Sequence, residues 1–152
     1  TTHQMLALEL EVDFEGKTVL DVGSGTGILA IMAAKLGANY LAATDIDEWC
    51  IENSQENFEL NKVDVDELKL GYIQELKFEK KFDVVLANIN KNVLLEELPD
   101  YAKLMSDKAH LFLSGFYKHD VADILELTTE LGFEKISESS KRDWTAILLK
   151  KV

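Results

Sequence analysis

Short apolar runs alternate along the chain with longer stretches whose apolar residues recur every three or four positions. Such runs are typical of strands buried on both faces, and the longer stretches are typical of helices with one buried face. The pattern predicts strands at residues 17–22, 40–44, 68–70, 82–87 and 109–114. It predicts helices at residues 2–10, 27–36, 47–60, 92–105 and 119–131.

The order of these elements predicts the fold class. Strands that alternate with helices form a parallel, doubly wound sheet with helices on both faces. The last two runs, residues 134–139 and 144–149, are joined only by a polar turn, which predicts an antiparallel hairpin at one edge. A chain of 152 residues is the length of one domain. We therefore expect a single α/β domain with a Rossmann-like, mostly parallel sheet.

A glycine-rich loop follows the first predicted strand and comes just before a helix. Its sequence is Asp21-Val22-Gly23-Ser24-Gly25-Thr26-Gly27. Ligands of open parallel sheets bind at the carboxyl ends of the strands, and glycines let a ligand lie against the backbone. A dinucleotide loop would require a further glycine at position 28, where this chain has Ile28. The GxGxG form after Asp21 therefore favours S-adenosylmethionine over a dinucleotide.

Two polar residues end the second and the fourth predicted strands. Asp45 ends the second strand, where a carboxylate accepts hydrogen bonds from both ribose hydroxyls of an adenosine ligand. Asp47 falls where the next helix begins and is the expected N-cap. Asn88 ends the fourth strand, and an amide there can hold a nucleophilic nitrogen. Asparagine is also common in turns, so its position alone leaves a catalytic and a structural role equally open.

Composition narrows the classes of partner. The chain has 28 acidic and 16 basic side chains, for a net charge of −12, and Arg142 is its single arginine. Nucleic-acid binding requires a cationic surface, so direct contact with nucleic acid is not expected. No apolar run reaches the length of a membrane span, and the first residues lack the pattern of a signal peptide. We expect a cytoplasmic protein that contacts no membrane.

The remaining candidate residues favour structural roles. Cys50 is expected to be buried in a helix and chemically inert. Trp49 and Trp144 are expected to be packing residues rather than platforms for a substrate. The three histidines are scattered without metal-ligand spacing, so no metal site is expected.

With these motifs in view, the chain resembles the PrmA family, the methyltransferases of large-subunit ribosomal protein eleven. The resemblance covers nearly all 152 residues. Its Ala-Asn-Ile and Leu-Ser-Gly segments are more particular to this family than the glycine loop is. The segments that carry it are Thr1-Thr2, 20–31, 35–38, Asp45-Ile46-Asp47, Asn53, Asn57, Ala87-Asn88-Ile89, Leu113-Ser114-Gly115, Gly132-Phe133 and Trp144.

The resemblance implies a class I S-adenosylmethionine-dependent methyltransferase. The product would be S-adenosylhomocysteine, and the acceptors would be lysine side chains and the N-terminal amine of a basic ribosomal protein. We expect the enzyme to be a monomer, with Asn88 orienting the substrate amine. The expected cofactor contacts are Thr2, Asp21, Gly23, Gly25, Gly27, Asp45, Ile46 and Asn88.

The resemblance also implies which part of a family member this chain corresponds to. Family members carry a separate N-terminal domain that recognises the substrate, and we expect residues 1–152 to be the catalytic domain without it. Of the family's Phe-Gly-Thr-Gly-x-His-x-Thr-Thr loop, only the last two residues are in the sequence. Cofactor binding should persist, whereas methyl transfer should be weak. The alternatives are a methyltransferase of another protein, a small-molecule amine or a nucleic-acid base, and a module that binds the cofactor without catalysis.

Overall fold

Seven strands form one sheet in the order β3-β2-β1-β4-β5-β7-β6. The computed structural model describes residues 2–152, so the Thr1 half of the Thr1-Thr2 motif lies outside the described residues. Strands β1 to β5 are parallel, and β7 runs antiparallel to both β5 and β6. The predicted doubly wound sheet with a terminal hairpin is confirmed. The strands are β1 (Thr18–Val22), β2 (Tyr40–Asp45), β3 (Glu67–Leu70), β4 (Phe82–Asn88), β5 (Met105–Tyr117), β6 (Phe133–Lys141) and β7 (Trp144–Lys151).

Five α-helices connect or precede these strands within residues 2–152. They are α1 (Thr2–Glu9), α2 (Ile28–Lys35), α3 (Glu48–Leu60), α4 (Lys91–Leu104) and α5 (Val121–Glu130). Two single turns of 3₁₀ helix, Ile73–Glu75 and Lys118–Asp120, precede β4 and α5. None of the helices in this described part is both long and apolar enough to cross a bilayer.

The core lies in two layers, one on each face of the sheet. Successive strand residues point to opposite faces, so Val84 and Leu86 join one layer and Val85 and Ala87 join the other. Helices α1, α2 and α3 cover the first face, and α4 and α5 cover the second. Burial on both faces explains why the central strands are almost continuously apolar.

Most boundaries fall within two residues of the prediction, and the exceptions are the two ends of β5. β5 begins at Met105, which the sequence pattern places in the preceding helix. The polar residues 106–108 hide this early start, and Lys108 adopts a positive φ of 64° where the register against β4 shifts. The predicted helix at 119–131 begins with the 3₁₀ turn, and α5 itself starts at Val121.

Local signals at two helix ends are confirmed. The Asp47 carboxylate accepts a hydrogen bond from the Trp49 N–H at 2.8 Å and is the N-cap of α3. Gly37 follows α2 with a φ of +108°, and its N–H donates to the Ala34 carbonyl. A left-handed glycine after a helix closes the last turn at low cost.

Two packing predictions in α3 are wrong. Trp49 is 68% exposed, because it lies in the first turn of the helix, which projects into solvent. Cys50 is only half-buried for the same reason. The buried positions of α3 lie one and two turns further on, at Ser54 and Phe58.

Candidate functional site

The carboxyl ends of β1, β2 and β4 meet at one edge of the sheet. The chain reverses its strand order between β1 and β4, and a crevice forms at such a reversal. A pocket of about 260 Å³ opens there, which we call the first pocket. Its lining residues are Val22, Gly23, Thr44, Asp45, Ile46, Gly71, Tyr72, Ile73, Ile89, Asn90, Val93 and Glu97.

The glycine loop forms one wall of the first pocket. Gly23 has a φ of +69°, and a Cβ there would lie 2.7 Å from Cγ2 of Ile89. Only glycine therefore lets the loop approach the β4 end this closely. Gly25 has a φ of +56° and open space around its Cα. Gly27 serves packing instead, because a Cβ there would meet the Phe58 ring at 3.1 Å.

Two side chains of helix α3 fix the glycine loop by hydrogen bonds. The Ser54 hydroxyl donates to the Gly25 carbonyl at 2.6 Å, and the Asn57 side-chain amide donates to the Thr26 carbonyl at 2.7 Å. These contacts satisfy carbonyl groups that the tight turn leaves without strand partners. The loop is therefore preformed.

Asp45 lies at the rim of the first pocket with its carboxylate held in place. Oδ2 accepts a hydrogen bond from the Gly25 N–H, and Oδ1 accepts one from the Asp47 N–H, both at 3.0 Å. A carboxylate offers about four acceptor sites, so about two are left for a ligand. Asp45 therefore joins the β2 end to the glycine loop and remains available to hydroxyl donors.

Asn88 ends β4 and is anchored to β5. The Ser114 hydroxyl donates to Asn88 Oδ1 at 2.9 Å, and the following Ile89 N–H donates to the Ser114 carbonyl at 3.0 Å. An amide oxygen has two lone pairs, so Oδ1 can accept a further N–H. Asn88 therefore keeps the capacity to accept a hydrogen bond from an amine.

Two buried carboxyl groups lie behind the glycine loop. Asp21 in β1 and Glu9 in α1 are 1% and 0% exposed. None of their four carboxyl oxygens accepts a hydrogen bond of normal length and angle from residues 2–152. Burial raises the pKa of Asp21 to about 8; the nearby Ala30 N–H opposes this shift, and the neighbouring Asp45 charge adds to it. Burial and the Asp21 charge raise the pKa of Glu9 to about 9.

A second cleft of about 480 Å³ adjoins the first pocket and shares Asn90 with it. The Trp144 ring stacks on the Tyr117 ring at 4.3 Å, and the Tyr117 ring stacks on His119 at 5.5 Å. Trp144 thus packs against another side chain, but at 40% exposure it does so at the surface of the protein. The cleft is lined by Asn90, Lys91, Asn92, Gly115, Phe116, Tyr117, His119, Asp120 and Trp144.

Charged groups of opposite sign hold the floor of the second cleft together. The ammonium of Lys91 lies 2.7 Å from an oxygen of Asp123 and 3.4 Å from one of Asp120. The Tyr117 N–H donates to Asp120 at 3.0 Å, and this bond, with the His119 and Lys91 charges, lowers the pKa of the Asp120 carboxyl. The loop that carries the aromatic stack is therefore tied to the start of α4.

The structure gathers part of the predicted site into the first pocket. Gly23, Asp45 and Ile46 line it, whereas Thr2, at the start of α1, does not. Asp21, Gly25, Gly27 and Asn88 also lie outside the lining, although Asp21 is one residue from the end of β1 and Asn88 ends β4. No group of three or more side chains in the described residues could hold a metal ion.

Sequence reasoning missed the wall opposite the glycine loop. Gly71, Tyr72 and Ile73 follow β3, and Val93 and Glu97 face the pocket from α4. The one local signal in the sequence for this wall is Gly71, a glycine directly after a predicted strand; its φ in the structure is +147°. It marks a turn directly after a strand, where open sheets place ligand contacts.

Comparison with known proteins places this geometry in a family. The sequence matches the family model described as ribosomal protein L11 methyltransferase (PrmA) over residues 1–152. The chain belongs to the PrmA family. The resemblance seen in the glycine loop, Asp45-Ile46-Asp47 and Ala87-Asn88-Ile89 is thereby confirmed.

Curated relatives in the PrmA family agree over almost the whole chain. The ribosomal protein L11 methyltransferase of Phocaeicola vulgatus is 45% identical over 97% of this chain and 52% of its own length. That of Porphyromonas gingivalis is 40% identical over 97% of this chain and 51% of its own length. The chain thus spans about half the length of the curated relatives it matches.

Solved structures confirm the fold. A ribosomal protein L11 methylase from Lactobacillus delbrueckii subsp. bulgaricus superposes with a TM-score of 0.90 at 29% identity, covering 99% of this chain and 79% of that one. A magnesium protoporphyrin IX methyltransferase from Synechocystis, solved with bound SAH, superposes with a TM-score of 0.74. It is 18% identical and covers 99% of this chain and 81% of that one, so this likeness shows the fold alone.

Proposed function

We propose that this chain binds S-adenosylmethionine in the first pocket and transfers its methyl group to amines of ribosomal protein L11. The observation that carries the proposal is the junction at Asp45. Its carboxylate is fixed by Gly25 at the pocket rim, with the Asn88 amide at the end of β4. Membership of the PrmA family supports the substrate, which the curated relatives name.

The residues present fit the parts of this cofactor. The ribose hydroxyls can donate to the free acceptor sites of Asp45. The apolar side chains of Ile46, Ile73 and Val93 suit the flat face of adenine. The unpaired carboxyl of Asp21 is the group that an ammonium would satisfy. When bound, the cofactor supplies a methyl group on a positively charged sulfur.

The chain's own residues then position the acceptor amine. A lysine amine has an ordinary pKa of about 10.4, so about one in 2,000 is neutral at pH 7. Asn88 Oδ1 can accept an N–H from the neutral amine but cannot remove a proton. We infer that the proton passes to water and that Asn88 contributes alignment, which can lower a barrier by several kcal/mol.

The second cleft is where we place the approach of the substrate. It meets the first pocket at Asn90, so a side chain that enters it reaches the end of β4. Tyr117 and Trp144 offer aromatic faces to a cation. Such a cleft can receive a lysine or an N-terminal ammonium.

The proposed partner is a basic ribosomal protein in the cytoplasm, and the proposed state of the enzyme is a monomer. The net charge of −12 favours a basic partner, since opposite charges raise the rate of encounter. The sequence spans about half of its relatives, so we propose that residues 1–152 form the catalytic domain and that recognition of L11 uses a further domain. Another protein or a small amine as acceptor is the alternative.

Calorimetry and a methylation assay test the proposal together. We expect S-adenosylhomocysteine to bind and NAD not to bind, because Ile28 occupies the position of a dinucleotide glycine. We expect methyl transfer from labelled cofactor to L11 to be much slower than with the full-length Phocaeicola vulgatus relative. Tighter binding of NAD would contradict the cofactor, and equal kcat/KM for the two proteins would contradict the division of roles.

A further inference from the structure

Glu97 is an acidic side chain in an otherwise apolar wall of the first pocket. It lies one turn after Val93 on α4, and both residues line the pocket. Ile73, which packs with α4, and Tyr72 before it line the same pocket. Glu97 is only 5% exposed, so its carboxyl group is largely withdrawn from water. Burial of a carboxyl group is unfavourable unless hydrogen bonds replace its contacts with water.

One oxygen of Glu97 is already held. The hydroxyl of Tyr101, one turn further along α4, donates to Glu97 Oε1 at 2.7 Å. Tyr101 is fully buried, so this bond fixes the carboxyl plane. Oε2 receives no hydrogen bond from the rest of residues 2–152. Burial raises the pKa of the Glu97 carboxyl, as expected for an acid with one acceptor oxygen left over.

The position of Oε2 indicates which part of a ligand it would meet. Asp45 and the glycine loop lie on the β1–β2 side of the pocket, whereas Glu97 lies on the α4 side with Ile73. A nucleoside whose ribose is held at Asp45 directs its base toward this second side. The base edge then meets an apolar wall with a single fixed acceptor.

We propose that Glu97 Oε2 accepts a hydrogen bond from the exocyclic amine of adenine and makes the pocket selective for adenine over a 6-oxopurine. The inference rests on the proposed function, since it concerns the base of the same cofactor. An adenine amine donates to the acceptor, whereas a 6-oxo group would oppose one acceptor with another. Sites built to hydrogen-bond a donor strongly reject the analogue that lacks it.

The test compares the affinities of S-adenosylhomocysteine and S-inosylhomocysteine, measured by calorimetry at about pH 8. For the unaltered chain we expect the adenine ligand to bind at least about tenfold more tightly. Glu97→Leu places an apolar side chain in an apolar wall and removes the acceptor. In this variant the affinities for the two ligands should differ by no more than about threefold. In Glu97→Gln the amide can donate to the 6-oxo group, so the preference should shift toward the inosine ligand.

A neighbouring variant provides the control. Glu96→Gln removes an exposed carboxyl from the same turn of α4 and should leave the ratio unchanged. A ratio that stays at the original value in both Glu97 variants, with their far-ultraviolet spectra unchanged, would overturn the assignment of Glu97 while leaving cofactor binding intact. If the unaltered chain binds neither nucleoside, the proposed function and this inference both fail.

Discussion

The two clefts at the carboxyl edge of the sheet hold their acidic groups in opposite states. Behind the first pocket, Asp21 and Glu9 are buried without partners, and their pKa values are raised to about 8 and about 9. At the second cleft, Asp120 is bonded to a backbone N–H and to Lys91, and its pKa is lowered. The two acids behind the first pocket thus have no cationic partner, whereas the second cleft already contains the Lys91 ammonium.

This difference separates the tasks of the two clefts. Unpaired buried acids gain most from a ligand that brings a cation, which suits the sulfonium and ammonium groups of the proposed cofactor. The second cleft is satisfied without a ligand, so it can recognise a substrate only through shape, stacking and its aromatic faces. Changes around the first pocket should therefore alter stability and cofactor affinity, whereas changes at the second should alter methyl transfer.

The largest expected effect is a loss of stability as pH rises. The raised pKa values mean that the folded chain holds protons which the unfolded chain has released above about pH 5. The stability that these two protonated acids contribute is therefore fully present below about pH 4 and is lost progressively until the pH passes about 8 to 9. The free energy of unfolding should fall by up to about 1.4 kcal/mol per pH unit for each such proton, measured by urea denaturation.

Two variants sharpen this pH prediction. The glutamine in Glu9→Gln cannot ionise. Between about pH 5 and 8, the free energy of unfolding of this variant should therefore fall less steeply with pH, by roughly the contribution of one proton. Asp120→Asn should leave the slope unchanged, because Asp120 is ionised in both states across that window. A stability that is flat over the window in the unaltered chain would show that the two acids have partners.

The next largest effect concerns the rim of the first pocket. Asp45→Ala should weaken binding of S-adenosylhomocysteine by about 1.5–3 kcal/mol, or roughly tenfold or more, because hydrogen bonds to a charged group are lost. Asp47→Ala is the matched control. It removes the N-cap of α3 and about 1 kcal/mol of stability but should leave the affinity unchanged. The reverse result would assign the ribose contact to Asp47.

A smaller effect is expected from the glycine loop. Substitutions at two of its positions distinguish the cost of backbone strain from the cost of a steric clash. Gly23→Ala and Gly25→Ala both force a side chain into left-handed backbone, at about 1–2 kcal/mol each. Only the Gly23 variant also drives a Cβ against Ile89, whereas the space at Gly25 is open. Thermal denaturation should therefore show Gly23→Ala as the less stable of the two. Equal melting temperatures would mean that Ile89 moves aside freely.

The smallest effect belongs to the second cleft. Trp144→Ala should leave cofactor affinity within about twofold and lower kcat/KM for methyl transfer to L11 about two- to fivefold, the range of an exposed cation–π contact. Trp49→Ala removes a more exposed tryptophan that lines neither cleft and should change neither quantity. A loss of activity in the Trp49 variant alone would move substrate approach to the other side of the first pocket.

The parts of the site that follow from local chemistry could be predicted from the sequence. The glycine loop and Asp45 lie directly after apolar strands, and strand ends of a parallel sheet share one edge. The N-cap at Asp47 follows from its place before a helix, and the structure shows the bond. For Gly27 the sequence pointed to the cofactor, but the structure shows a packing reason against Phe58.

Other residues of the two clefts could not be predicted in this way. Trp144 and Tyr117 are 27 positions apart in the chain and stack only because β7 pairs with β5 in a register that places them opposite each other. Lys91 and Asp120 meet because α4 and α5 cover the same face of the sheet. No periodicity within a single element encodes such pairings.

The sequence by itself determined the alternation of strands and helices, the family and the glycine loop, since each depends on residues close together in the chain. The tertiary structure alone decided which acids are paired and which are not. Asp21, Glu97 and Asp120 are all acidic residues in or beside predicted elements. Their states diverge because burial and long-range neighbours set the pKa of a carboxyl, and only the folded chain supplies both.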